Sequence, residues 1–301
     1  MDPTIDDVNT PAFLGRYRIL GRYGAGGMGT VFRDQDPDLD RIVAIKIPHF
    51  EGPPEVRSAR MQRFQREARL AARVHHPNVC QIFDVGERDG QPFVGMGFVE
   101  GQSLAQWLKE NRRFKDIEKA VKLVLPLVEA LQAIHGLGII HRDIKPGNIL
   151  FNDQGKLVLT DFGLARPEVG EDEFTSEGMI LGTPGYMAPE QASGNSATLG
   201  PRTDLYSMGL VLYEMLTGRL PLEGPTPLRL QRMIVEDPPS PRIIDRGSIP
   251  TWRPSCCLPC GKIQRKDFRR PPRLLPNSAS GNCPRTRLNR HPRPLPPKPR
   301  K

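Results

Sequence analysis

The sequence predicts an α+β fold in two lobes, a strand-rich first portion followed by a helical second one. Residues 17–50 alternate short apolar runs with glycines (YRIL, GAGGMGTVF, RIVAIKI), the pattern of a twisted antiparallel sheet. From Ala59 to Val74 apolar side chains recur at helical spacing (Met61, Phe64, Ala68, Ala71, Ala72) among arginines, and His76-Pro77 ends the pattern. Residues 117–137 and 204–217 then read as two apolar helices, the kind of segment that forms the core of a helical lobe.

The remaining elements follow in order. PFVGMGFV (92–99) has strand composition, weakened by Gly95 and Gly97. The helix at 117–137 is expected to be largely buried, with a kink at Pro126 and an end at Gly136 and Gly138. Short strands and loops run on to Phe162, and Pro167 to Leu181 lacks periodicity. Asp204 reads as the cap of the next helix, and a shorter helix is expected over 227–236. After Pro241 the helical pattern stops.

Composition divides the chain near residue 250. Residues 251–301 hold 14 Lys and Arg against one acid, Asp267, a charge of +13, so the +9 of the whole chain leaves −4 for the first 250 residues. The tail also carries 11 of 32 prolines and four of five cysteines. Cys80 is the only cysteine upstream, which argues against a disulfide framework and for a cytoplasmic, reducing compartment. No run of 18 apolar residues exists, and the acidic, polar MDPTIDDVNT start is unlike a secretory signal.

Chemistry concentrates in four stretches. Gly24-Ala25-Gly26-Gly27-Met28-Gly29 lies between two expected strands, where glycines let backbone N–H groups approach phosphate oxygens; spacing of this kind also occurs in ordinary hairpins. A strand rather than a helix follows, which disfavours the dinucleotide-binding version. VAIK ends on Lys46, either a snorkelling lysine or an ammonium aimed at phosphate, and Glu67 on the following helix is either its partner or a solvated acid. IIHRDIKPGNIL (139–150) and TDFG (160–163) then supply Asp143, Asn148 and Asp161, the hard oxygen ligands that Mg²⁺ prefers plus a group able to orient a hydroxyl.

With these motifs in order, the chain from about Tyr17 to about Arg242 resembles the eukaryotic-type protein kinase family, Ser/Thr branch, and most closely its bacterial members with a GGMGxV loop. The resemblance implies a two-lobed kinase fold, with a leader at 1–16, an N-lobe at 17–97, an incomplete C-lobe at 98–250 and a disordered tail at 251–301. It implies ATP and Mg²⁺ as cofactors and protein serine/threonine hydroxyls as substrate. Lys46 would contact the α- and β-phosphates and pair with Glu67; Asn148 and Asp161 would hold Mg²⁺; Asp143 would receive or orient the hydroxyl proton; Lys145 would steady the γ-phosphate. Val31, Ala44 and Leu150 match the positions around adenine, Met96 the gatekeeper, and Gly97 and Val99 the hinge, where Gly97 replaces the usual acid. Arg142 would pair with a phosphate on the activation segment, at Thr175 or Ser176, placed there by autophosphorylation between self-associated copies. Thr183 would buttress Asp143 and Lys145.

The resemblance also exposes a gap. The family continues with two more helices and an arginine that pairs with Glu190, and nothing in 243–301 fits. Cys257 and Cys260 lack a second regularly spaced pair for zinc, and the basic run lacks the interleaved aromatics of a nucleic-acid arm, so no specific nucleic acid is expected. The closing RPLPPKPR satisfies Pro-x-x-Pro, which also reads as proline-rich disorder. Codons for Pro259 to Arg269, read from the third base, admit Leu-Arg-Lys-Asn-Pro-Ala-Glu-Arg-Phe-Pro, which looks like the family's late C-lobe. A one-base frameshift near residues 250–252 accounts for the tail, and a buried Glu190 without its arginine would cost about 3–5 kcal/mol. Two function classes stand: an ATP-dependent protein Ser/Thr kinase, favoured by every catalytic position being filled, and an inactive nucleotide-binding or scaffolding remnant, favoured by the tail.

Overall fold

Alternation of side chains across β-strands builds the first lobe of this computed structural model. The structure describes residues 13–26, 29–50, 52–88, 90–162, 184–194, 196–222 and 224–239. Six antiparallel strands, β1 (Phe13–Leu14), β2 (Tyr17–Gly26), β3 (Gly29–Asp36), β4 (Arg41–Ile47), β5 (Ile82–Arg88) and β6 (Gln91–Gly97), run in the order β1-β2-β3-β4-β6-β5. In β4, Val43, Ile45 and Ile47 face a small core with Leu14, Tyr17, Phe32 and Phe93. Ala44 and Lys46 face the other way, as strand periodicity requires. β1 pairs Phe13 with Arg18, so the sheet begins within the stretch expected to be a leader.

Helix α1 (Pro54–Ala71) buries Phe64, Ala68 and Ala71. It starts five residues before Ala59, because Pro54 sits at the first turn, where a missing N–H costs nothing. Strand β5 and helix α2 (Leu104–Asn111), capped by Ser103, were not apparent from periodicity. Helix α3 (Ile117–Gly136) runs through Pro126 and buries the stripe Ala120, Val124, Leu127, Leu131 and Ile134. It is amphipathic rather than largely buried, since Val121 and Leu125 are exposed. A two-stranded ribbon, β7 (Ile149–Phe151) with β8 (Leu157–Leu159), follows a short 3-10 turn at Pro146–Asn148. Helices α4 (Pro189–Ala192), α5 (Pro201–Thr217) and α6 (Thr226–Val235) complete the described residues.

The principal core joins Ala44, Met96 and Phe64 to α3, to β8 and to Met208, Val211 and Met215 of α5. This continuous packing positions the strand bearing Lys46 against the loop bearing Asp161. A third cluster holds Met187, Tyr206, Leu210, Leu222 and Met233.

One buried group opposes the fold. Asp34 lies on the inner face of β3 between Ile19 and Val43, fully buried, and neither carboxylate oxygen has a hydrogen-bond partner. Burial pushes its pKa up to about 7, moderated only by the nearby Leu20 backbone. Asp36, two residues on, is equally buried but lies near Arg16 (3.4 Å) and Arg41 (3.6 Å).

Candidate active site

The catalytic-loop candidates are gathered by a single buried carboxylate. Asp204 does not cap α5, whose N-cap is Gly200; it lies inside the first turn, almost wholly buried, and accepts hydrogen bonds from His141 N (2.8 Å) and Arg142 N (2.8 Å), with His135 Nε2 at 2.7 Å. These contacts bridge some sixty residues of sequence and hold Arg142 at φ 63°, a left-handed conformation that a side-chain-bearing residue adopts at a cost. Gln191 Nε2 donates to Arg142 O (2.9 Å) from the opposite side. Asp161 is also left-handed, at φ 53°.

His141 is completely buried, and burial lowers its pKa, so the imidazole is neutral. Its Nδ1 accepts from Asp143 N (3.3 Å), which assigns the proton to Nε2, the atom facing Thr160 O (3.1 Å). The ring stacks on Phe162 at 5.3 Å. Asp204, His141, Thr160 and Gln191 were missed as site-forming residues. The one local signal was a carboxylate in the first turn of a largely apolar helix.

Asp143 is buried, and its Oδ2 accepts from Lys145 Nζ (2.9 Å) and from Asn148 Nδ2 (2.8 Å). Asn148 is locked further by Nδ2 to Asp143 O (2.8 Å) and by Thr160 N to its own carbonyl (2.9 Å). Committing the amide nitrogen in this way leaves Oδ1 as the pole that can bind a cation. Lys46, buried on β4, donates to Asp161 Oδ1 at 2.7 Å. Asn148 and Asp161 therefore offer hard oxygens of the kind Mg²⁺ takes when it keeps waters and phosphate oxygens as its other ligands. Among the described residues no group of three or more His, Cys, Asp or Glu side chains is placed to hold a metal ion.

Glu67 requires a correction. It does not meet Lys46: its Oε1 accepts from Arg63 Nε at 3.3 Å, one turn earlier on α1. The i, i+4 geometry brings Arg63 to it locally, while Lys46 takes the carboxylate of Asp161. Glu190 needs another. It is half-buried rather than buried and accepts 2.7 Å from Thr203 Oγ1, so a hydroxyl and solvent satisfy it. Among the described residues it has no cationic partner, but the expected penalty for a fully buried, unpaired charge does not arise.

Of the candidate nucleotide-facing residues, Val31, Ala44, Lys46 and Met96 share one face of the sheet. Val31 lies opposite Lys46, and Ala44 opposite Met96. Gly97 ends β6, Val99 follows on the connecting segment, and Leu150 lies on β7 of the two-stranded ribbon. Gly24, Ala25 and Gly26 end β2, exposed, opposite Val31, Thr30 and Gly29. A Cβ at Gly24 or Gly26 would meet nothing within 4 Å, so packing does not demand glycine there. Gly29 differs, since its φ of 137° and the Ile47 carbonyl exclude a side chain. Gly27, Met28, Thr175, Ser176 and Thr183 lie outside the described residues, as do the whole tail and its frameshift reading.

Gly29→Ala is expected to destabilise the chain by about 1–3 kcal/mol. Gly24→Ala should leave the urea midpoint unchanged and raise KM for ATP, and paired denaturation and kinetic measurements check both.

A small twisted sheet, a buried strand lysine reaching a loop aspartate, and an Asp–Lys–Asn cluster beside it define a protein-kinase-like fold. The protein kinase domain family matches residues 17–255. The chain is 39% identical over 249 residues to the probable serine/threonine-protein kinase pknA2 of Bifidobacterium longum, covering 81% of this chain and 32% of that protein. It is 38% identical over 243 residues to the serine/threonine-protein kinase PrkC of Bacillus subtilis, covering 80% and 35%. Among solved structures, the PknI kinase domain of Mycobacterium tuberculosis matches with a TM-score of 0.57 at 26% identity, covering 77% of this chain and 82% of that one. The chain thus belongs to the protein kinase family, and it spans about a third of the length of these curated relatives.

Proposed function

We propose that the chain is an ATP-dependent protein serine/threonine kinase. The observation that carries this reading is the convergence of Lys145 Nζ and Asn148 Nδ2 on Asp143 Oδ2, beside the Lys46–Asp161 ion pair. The family and the names of its bacterial relatives support the same assignment.

In this reading Asp143 orients a substrate serine or threonine hydroxyl and receives its proton as the hydroxyl oxygen bonds to the γ-phosphorus. The bond from that phosphorus to the β,γ-bridging oxygen breaks and ADP leaves. Lys145 shares Asp143 with the hydroxyl and neutralises charge on the transferring group. Lys46 holds the α- and β-phosphates, and Glu67 leaves Arg63 to orient it. Asn148 and Asp161 hold Mg²⁺, which when bound neutralises phosphate charge. Val31, Ala44, Met96 and Leu150 enclose adenine, the Gly97 and Val99 backbones read its edge, and Gly24 to Gly29 cover the phosphates.

Arg142 pairs with phosphate on Thr175 or Ser176 after autophosphorylation between copies, while Thr183 supports the substrate platform. No helix among the described residues is long and apolar enough to cross a membrane. The single cysteine in the first 250 residues supports a cytoplasmic setting for this portion of the protein. Incubating the chain with a basic protein and ATP, with and without EDTA, tests the assignment by mass spectrometry. Phosphoserine or phosphothreonine should appear only in the metal-replete reaction, and its absence from both reactions overturns the reading.

A further inference from the structure

Helix α4 is a single turn, and the only residue it buries is a glutamine, Gln191. Both ends of the Gln191 amide are engaged. Oε1 accepts from Ala188 N (3.0 Å), the backbone N–H just ahead of the helix, which is the contact of a helix cap. Nε2 donates to Arg142 O (2.9 Å), and a cap has no use for that second bond. The amide has one orientation here, because turning it over would set its oxygen against the Arg142 carbonyl and its NH₂ against the Ala188 N–H.

The bond from Gln191 lands on the peptide unit between Arg142 and Asp143. Gln191 holds the oxygen of that unit, and His141 Nδ1 accepts from its N–H, Asp143 N, at 3.3 Å. A peptide plane held at both poles fixes the direction in which the next side chain departs, and that side chain is Asp143. Arg142 is left-handed, at φ 63°, and its own N–H is tied to Asp204 Oδ1 at 2.8 Å. Such a conformation persists only where its surroundings over-determine it. The surroundings form a closed ring. Asp204 follows Thr203 in the first turn of α5, Thr203 Oγ1 donates to Glu190 Oε1 (2.7 Å), and Glu190 adjoins Gln191. The loop is thus gripped between α4 and α5, and Gln191 is the link of the ring that bears on the Asp143 peptide.

We propose that Gln191 is a positioning residue for Asp143, fixing through the Arg142–Asp143 peptide the angle at which the carboxylate meets the attacking hydroxyl. The inference rests on Asp143 being the residue that prepares that hydroxyl. The same amide, through Ala188 N, sets the register between Asp143 and residues 184–188, whose Tyr186 carbonyl is tied to α5 by Ser207 Oγ (2.7 Å). Gln191 makes no bond to Lys46, Asn148 or Asp161, so its loss falls on kcat and spares ATP binding.

The test compares the full-length wild type, Gln191→Glu, Gln191→Met, Asp143→Asn and the Gln191→Met/Asp143→Asn double variant in phosphorylation of a basic protein. Titration with a fluorescent ATP analogue plus Mg²⁺ counts the binding sites, and kcat is taken per site, so a partly unfolded preparation does not register as lost turnover. Gln191→Glu, assayed at about pH 8.5 to keep the new carboxyl ionised, retains an oxygen for Ala188 N–H but faces Arg142 O with another. Gln191→Met fills the volume and bonds neither. Both should lose roughly 10- to 100-fold in kcat, the scale of a small misplacement of a reacting group, with KM for ATP and analogue affinity within about two-fold of the wild type. In the Asp143→Asn background, Gln191→Met should cost no more than about two-fold further, because it acts through a group already removed. Wild-type kcat in Gln191→Glu leaves Gln191 a helix cap and overturns the proposal, as do losses that multiply in the double variant. Equal activity of the wild type and Asp143→Asn is a different result, one that removes the Asp143 reading itself.

Discussion

Asp34→Ala is expected to stabilise the protein, most strongly at alkaline pH. In the folded chain the carboxyl titrates at about 7, against 3.8 for an unperturbed aspartate, because burial penalises the ion and no side chain pairs with it. A folded-state value above the unfolded one means that the folded state binds the extra proton. Stability is then fully present below about pH 4 and is lost as pH rises through about 7, a total of about 4 kcal/mol at roughly 1.4 kcal/mol per unit. Between pH 5.5 and 8.5 the wild type should lose about 2 kcal/mol that Asp34→Ala retains. His141, held neutral in the fold, contributes with the opposite sign, because charging it only in the unfolded chain weakens the fold at low pH. It is present in both proteins, so the difference between their urea denaturation profiles isolates Asp34. Parallel profiles across this range would show that the carboxylate has found a partner.

Lys46→Met should lower kcat/KM for ATP-dependent phosphorylation by roughly 10²- to 10³-fold, the usual cost of losing one preorganised charge at a phosphoryl-transfer site. The fold should survive. Methionine fills the buried stem of Lys46, and Asp161, whose side chain is one-third exposed, is hydrated once the ammonium is gone. Thermal unfolding within a few degrees of the wild type, together with the kinetic loss, is the expected pair of results. A variant that is folded and fully active would remove Lys46 from the phosphate site.

The cluster of Asp143, Lys145 and Asn148, proposed as catalytic, was legible because its spacing is local. Asp143, Lys145 and Asn148 fall within one loop, and their mutual hydrogen bonds are short-range. The strand and helix order was legible for the same reason, since apolar periodicity is a property of neighbouring residues. Asp204 was not. Its partners lie more than sixty residues away, and a carboxylate in a first helical turn looks like a favourable dipole or cap interaction until the chain is folded. The Lys46–Glu67 pairing was read across two elements, whereas the cation that Glu67 meets, Arg63, lies one turn away on its own helix. The bulges of β2 at Leu20 and Tyr23, which have no partner in the ladder with β3, were invisible for a third reason: a bulge is a mismatch between two strands, and neither strand alone records it.

The account stands on Asp143 as the residue that prepares the attacking hydroxyl. The most direct measurement is transfer of ³²P from γ-labelled ATP to a basic protein by the wild type and by Asp143→Asn, a near-isosteric change that keeps the volume but removes the charge facing Lys145. Label on serine or threonine with the wild type, reduced by at least about a hundred-fold in the variant, is the result predicted from the loss of a general base. Equal incorporation by the two proteins would contradict it.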